Sequence, residues 1–216
     1  MRFELSAAAG AATSLLALPM AAQAGTITLD RSCYVEETAM VVTGSGFRPG
    51  SDVTLSGDGA FATVTADANG AFQAPVKVPI NPTIGAAKSD LRTYTLEAQD
   101  FGDATQTTSA QYQVTNFAVE GPRGVRSPRK KGTWRFAGWP AGKAIYGHFR
   151  FKGKTYRNYR FGTPKGPCGL LSAKAPLLPA RLRYGTWRLQ VDQRKSYRST
   201  TRPAYRNKIT IFKTFR

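Results

Sequence analysis

Histidine occurs once in the 216 residues, as His148, and cysteine twice, as Cys33 and Cys168. One imidazole excludes a metal centre built from several histidines, and two thiols cannot supply a structural zinc cluster. A Ser–His–Asp hydrolase would have to use His148, with Asp192 the nearest acid of the same half, and no nucleophile-elbow pattern accompanies them. Beyond residue 24 nothing resembles a membrane-spanning apolar run. Acid is the scarcest class in the second half. From Asn116 to Arg216 only Glu120 and Asp192 stand against 25 lysines and arginines, a balance of +23. Residues 25–114 hold ten acids against five basic residues, or −5, and the whole chain carries +18. A half with this much positive charge attracts polyanions at long range whatever its fold.

The first 24 residues read as an export signal. A short charged start, Met1 to Glu4, precedes an Ala/Leu-rich stretch to Leu18; Pro19 follows, then Ala22-Gln23-Ala24 as a small-residue cleavage site. Cleavage after Ala24 leaves Gly25 as the mature N-terminus. No apolar tripeptide precedes Cys33, so lipidation is not expected. The expected location is extracellular or wall-associated, where wall polymers and acidic polysaccharides compete with nucleic acid as partners for a basic surface.

What the chain has in quantity is β-forming sequence. Thr, Val, Tyr and Phe recur in short alternating runs broken by Gly, Pro, Asn and Asp, and no stretch holds a 3.6-residue period. Seven stretches before residue 115 are expected strands: Ile27–Leu29, Met40–Thr43, Val53–Leu55, Phe61–Thr65, Phe72–Val78, Tyr94–Ala98 and Gln111–Val114. That is the strand count of an immunoglobulin-like sandwich. The second half then repeats the first. Gly46-Phe47-Arg48-Pro49-Gly50-Ser51-Asp52-Val53 matches Gly138-Trp139-Pro140-Ala141-Gly142-Lys143-Ala144-Ile145, and Thr93 to Ala98 matches Thr186 to Val191, at offsets of 92 and 93 residues. The Asp67–Gly70 and Thr163–Gly166 turns fall between these matches. A period of this length is a domain. The expectation is all-β, with two tandem immunoglobulin-like sandwiches at 25–115 and 116–216.

The run Val41 to Val53, followed by Ala66-Asp67-Ala68-Asn69-Gly70-Ala71-Phe72, resembles the bacterial Ig-like repeats of secreted actinobacterial proteins. It is loosely similar to the neocarzinostatin-type chromophore-binding sandwich, whose intradomain disulfides this repeat, with Cys33 alone, does not reproduce. The resemblance spans roughly Ile27 to Val114 and implies a fold without implying an activity.

In the basic half, Tyr146 to Phe161 reads as a hairpin turning near Gly153. A three-residue loop puts Phe149, Phe151, Tyr159 and Phe161 on one buried face, with Arg150, Arg160 and Tyr156 on the other. The expected binding residues are Arg150, Lys152, Lys154, Tyr156, Arg157 and Arg160, joined by Arg194, Lys195 and Arg198 from the last third. Guanidinium groups suit phosphate or sulfate, and tyrosine suits stacking. Trp187, Leu189 and Val191 alternate with Arg188, Gln190 and Asp192 in a central strand; a loop through Arg202 and Arg206 leads to a last strand from Lys208 to Phe215. The connector Val125 to Lys131 reads as a polybasic arm.

In an exported chain two cysteines are expected to pair, and a Cys33–Cys168 bond would clamp the halves. A wall-acting thiol transpeptidase would want Ser-His-Gly-Cys with a nearby arginine; here Gly166-Pro167-Cys168-Gly169 has neither, and His148 reads as an exposed strand residue. The expectation is therefore a non-enzymatic secreted protein without a cofactor. Its basic domain binds an anionic polymer: a wall polymer, an acidic polysaccharide or nucleic acid. The alternative is an envelope protein docking onto an acidic protein.

Overall fold

Along residues 39–45, Met40, Val42 and Gly44 are buried while Ala39, Thr43 and Ser45 face water, and this period of two recurs through most of the chain. The computed structural model describes residues 25–80, 91–123 and 127–213, and every regular element among them is a strand. The leader assigned to residues 1–24 lies outside the described residues.

The first half contains β1 (Thr26–Leu29), β2 (Cys33–Val35), β3 (Ala39–Ser45), β4 (Asp52–Gly57), β5 (Ala60–Thr65), β6 (Phe72–Lys77), β7 (Leu91–Asp100) and β8 (Asp103–Thr115). These form a three-stranded sheet, β1-β3-β6, and a five-stranded one, β2-β8-β7-β4-β5. Met40, Val42 and Phe72 from the first sheet meet Val53, Leu55, Leu96 and Tyr112 from the second in one buried cluster. Each of the seven expected strands falls within one of these elements, Val78 alone lying a residue beyond β6, while β7 and β8 run well past the expected stretches. The additional β2 runs parallel to β8 and is too short for alternation to announce.

The second half contains β9 (Ala118–Glu120), β10 (Lys131–Ala137), β11 (Ile145–Phe151), β12 (Lys154–Gly162), β13 (Leu171–Pro176), β14 (Gly185–Asp192) and β15 (Tyr205–Ile211). Its sheets are β13-β10-β9 and β12-β11-β14-β15. The order β15-β14-β11-β12 reproduces β8-β7-β4-β5, and β9-β10-β13 reproduces β1-β3-β6. A second buried cluster, around Trp134, Phe136, Trp139, Phe149, Trp187 and Leu189, fills the space between these sheets.

The two Gly–aromatic motifs adopt one conformation. Gly46 and Gly138 have φ of 81° and 72°, and Gly50 and Gly142 have 74° and 82°. Phe47 and Trp139 are buried, as are Val53 and Ile145 at the strand that follows. The Phe47 amide donates to the Gly70 carbonyl at 3.1 Å and the Trp139 amide to that of Gly169 at 3.4 Å. A Cβ on Gly70 would lie 2.0 Å from the Phe47 oxygen, and one on Gly169 1.8 Å from the Trp139 oxygen, so only glycine fits either place. The counterpart of Gly70 is therefore Gly169. Gly166, which the sequence match selects, turns over open space.

Cys33, beside Gln113 in the β2–β8 pairing, is bonded to Cys168 in the turn between β12 and β13, across a sequence separation of 135. The connector is not a free arm from residue 127 onward. The Pro128 carbonyl accepts from the Leu178 amide at 2.8 Å, and Lys131 opens β10 opposite Pro176. Val125 and Arg126 lie outside the described residues.

Candidate anion-binding groove

The β11–β12 hairpin turns on two residues, Lys152 and Gly153, with φ of 45° and 81°. Both positive angles fit the type I′ turn that matches strand twist. Phe151 pairs with Lys154 and Arg150 with Thr155; Tyr156 is then inserted as a bulge before Phe149 meets Arg157. The expected three-residue loop is thus a two-residue loop plus a bulge, with consequences for the side chains. Phe149, Phe151, Tyr159 and Phe161 still join the core or pack against it. Tyr156 turns to the same side but stays exposed, its ring 5.5 Å from that of Trp187 and 6.3 Å from that of Phe151, with the Arg183 guanidinium 4.9 Å from its centre. Arg157 lies opposite Phe149 and so does not share the face of Arg150. Arg160, opposite Tyr146, is on the outer face but at the far end of β12.

On that outer face, Arg150 of β11 pairs directly with Arg188 of β14, and Arg188 with Lys208 of β15. Three cations thus stand in one row across three adjacent strands. Like charges placed directly opposite each other destabilise a sheet, by about 0.2–1 kcal/mol per pair. Two adjoining hollows of 480 and 490 Å³ share these three side chains. Tyr197, Arg206 and Asn207 help line the first, and Lys152, Thr186 and Thr210 the second. Among the described residues no carboxylate lines either one.

The two acids of this half are engaged elsewhere. Glu120 on β9 pairs with Arg123 and Arg135. Asp192 is wholly buried beside His148, Nε2 to Oδ1 3.1 Å. His148 is not the exposed residue its strand position suggests, because residues 193–204 fold over this part of the sheet. Its Nδ1 lies 2.8 Å from Asn158 Oδ1, so both ring nitrogens face oxygen acceptors, the pattern an imidazolium satisfies with two donors. Burial pushes the His148 pKa down, but the bonds to Asp192 and Asn158 and the Asp192 charge outweigh it and leave the value raised. Burial likewise pushes Asp192 up, and bonds from His148, Gln190 and the Arg194 amide hold it below its usual value. His148 therefore has no free nitrogen to act as a base, and the Cys168 sulfur is held in the disulfide.

The same pair anchors the covering segment. Asp192 accepts from the Arg194 amide at 2.7 Å and from Gln190 Nε2 at 2.7 Å; Gln190 also donates to the Arg198 carbonyl at 2.8 Å. Arg206 reaches the Ser199 carbonyl at 2.7 Å and Gln190 Oε1 at 3.2 Å. This framework places Tyr197 over Arg150, guanidinium to ring centre 4.1 Å, with Arg150 Nη1 donating to the Tyr197 hydroxyl at 2.6 Å. Arg150 Nη2 donates to the Gly153 carbonyl.

Of the residues expected from sequence, Arg150 and Lys152 line the groove. Lys154 is exposed but opposite Phe151, and Arg194, Lys195 and Arg198 are exposed on residues 193–204 outside its lining. Arg188, Arg206, Lys208 and Tyr197 were missed. Arg188 was legible, since it alternates with Trp187 and Leu189. Arg206 was hidden by placing the last strand at Lys208 to Phe215, whereas β15 begins at Tyr205.

No family model and no curated protein matches the chain. Among solved structures it is similar to the YadV chaperone, at 9% identity over 86% of this chain and 99% of that one, with a TM-score of 0.29. It is also similar to the periplasmic chaperone SfaE, at 10% identity over 76% and 92%, TM-score 0.30. A third is the Salmonella enterica SafA pilin in complex with the SafB chaperone, at 11% identity over 86% and 96%, TM-score 0.28. Likenesses this distant carry no functional argument. Among the described residues, no helix is long and apolar enough to cross a membrane.

Proposed function

We propose that this is an exported, non-enzymatic protein of two tandem immunoglobulin-like sandwiches, residues 25–115 and 116–216, whose basic second domain binds an anionic polymer of the extracellular space or cell envelope. The observation that carries the reading is the cross-strand row Arg150–Arg188–Lys208, in a groove that no carboxylate among the described residues lines. A sheet designed only for stability would alternate signs there; an anion laid across the row replaces mutual repulsion with charge-assisted hydrogen bonds. Export is supported by the leader-like first 24 residues and by a disulfide, which persists in oxidising compartments.

The test is a salt titration of binding to an anionic polymer. The logarithm of affinity falls linearly with that of salt as counterions are released, each neutralised phosphate of a nucleic acid contributing about 0.7–0.9 to the slope. Arg188→Gln with Lys208→Gln should lower the slope by roughly 1.5 on that scale, with the thermal transition unchanged or slightly raised, because both side chains are exposed and two like-charge pairs are removed. An unchanged slope would remove the groove as the site.

A further inference from the structure

Resting on that reading, the groove also narrows the class of polymer. Its two hollows meet at the cationic row, and they differ in chemistry. In the second, Thr186 and Thr210 lie opposite each other across β14 and β15, their hydroxyl oxygens 3.3 Å apart. Two hydroxyls together hold two protons and four lone pairs. Their mutual bond uses one of each and leaves one donor against three acceptor sites. A phosphate or carboxylate oxygen only accepts, so this acceptor-rich pair suits a ligand that donates hydrogen bonds. Hydroxyls do so. The pair sits two strand residues from Arg188 and Lys208, roughly 7 Å along the strand direction.

Stacking surface is scarce in the groove. Among the described residues Tyr197 is the one aromatic lining either hollow, and one face of its ring is taken by Arg150. Tyr156, the other candidate platform, is exposed but lies outside both hollows, its ring edge-on to Trp187 with the Arg183 guanidinium over it. The roughly 1–3 kcal/mol that each nucleobase gains from an aromatic platform therefore has little support.

We infer that the ligand is a base-free polyanion of hydroxyl-bearing units, an anionic polysaccharide or polyol phosphate. One anionic group lies on the Arg150–Arg188–Lys208 row, and a neighbouring hydroxylated unit is held by Thr186 and Thr210. Nucleic acid and hydroxyl-free polyanions are the classes this arrangement disfavours.

The experiment measures affinities of the intact mature chain at fixed ionic strength for poly(glycerol phosphate), polygalacturonate, inorganic polyphosphate and single-stranded DNA. Thr186→Val with Thr210→Val keeps the β-branched shape and removes both hydroxyls; Thr186→Ser with Thr210→Ser keeps the hydroxyls. The valine variant should lose about fivefold or more on the preferred hydroxylated polymer, the scale of one neutral hydrogen bond. Its salt slope and its polyphosphate affinity should not change, and the serine variant should bind like the parent. Preference for poly(glycerol phosphate) assigns the anion as a phosphodiester, and preference for polygalacturonate as a carboxylate; either supports the class. DNA or polyphosphate binding tightest, or a valine variant with unchanged affinity for the hydroxylated polymers, overturns it. The broader reading fails separately, if Arg188→Gln with Lys208→Gln weakens none of the four.

Discussion

The two halves share a strand order and a Gly–aromatic latch, and they differ most on one face. In the first half the outer surface of the large sheet pairs Thr54 with Thr63 and Gln99, Ser56 with Glu97, Glu97 with Ser109, and Thr95 with Gln111. With Asp52 opposite Thr65 on the same face, these partners are uncharged apart from two acids, and no cation stands among them. In the second half the corresponding surface pairs Arg150 with Arg188 and Arg188 with Lys208, and buries His148 and Asp192 under residues 193–204. The inward faces solve the same packing problem with different residues, Leu96 and Ala98 in one, Leu189 and Val191 in the other. The scaffold thus tolerates a weakly acidic or a cationic outer face, and a row of cations there is not a requirement of folding.

The strongest way to break the comparison is through the latch. Phe47→Ala and Trp139→Ala should each cost about 3–5 kcal/mol, the usual loss for truncating a buried aromatic. Tryptophan fluorescence reports the second half alone, because Trp134, Trp139 and Trp187 all lie there; the Trp139 variant keeps two of them. Amide exchange in β4 and β7 reports the first. A marked difference in cost between the two variants would argue that the motifs are not equivalent.

A smaller effect separates the halves by pH. The first half has no histidine. His148 has a raised pKa in the folded state, so its contribution is complete below the unfolded value of about 6.5 and is lost as pH rises through the folded one. Asp192 is lowered, as is Asp100, which the Arg48 guanidinium holds well below the usual carboxylate range at 2.7 and 3.2 Å. Their contributions are present above about pH 4 and are lost as pH falls through the folded values. Raising the pH from 6 to 9 should weaken the tryptophan-reported half while amide exchange in the first half holds steady. Acidification below about pH 4 should weaken both. A second half equally stable at pH 6 and pH 9 would contradict a protonated His148.

Much of the frame was legible in the chain. Gly46 with Phe47 and Gly138 with Trp139 are visible because a positive φ and a buried ring restrict the choice of residue. The central strand from Trp187 to Val191 is visible because it alternates. The failures share a cause in tertiary or non-local structure. Gly169 was passed over for Gly166 because the turn after β12 is longer than its counterpart, and only the close approach of Trp139 identifies the glycine that matters. The two-residue turn with its bulge put Tyr156 on the side away from Arg150, where a three-residue loop would set the two together, and nothing local marks a bulge. His148 read as exposed because its cover comes from residues 193–204. The groove itself needed the register of three strands, and a list of basic residues does not contain that register.

The central claim is that position on the outer face, not net charge, makes the second half a binder. It is tested by comparing two intact variants of equal charge: Arg188→Gln with Lys208→Gln in the groove, and Lys165→Gln with Lys174→Gln, exposed but outside its lining. Their dissociation constants for poly(glycerol phosphate) or polygalacturonate, whichever the parent binds more tightly, are measured at one ionic strength. The account predicts that the groove pair loses at least tenfold more affinity than the outer pair. Equal losses would mean that the polymer responds to total charge and that the groove is not a site.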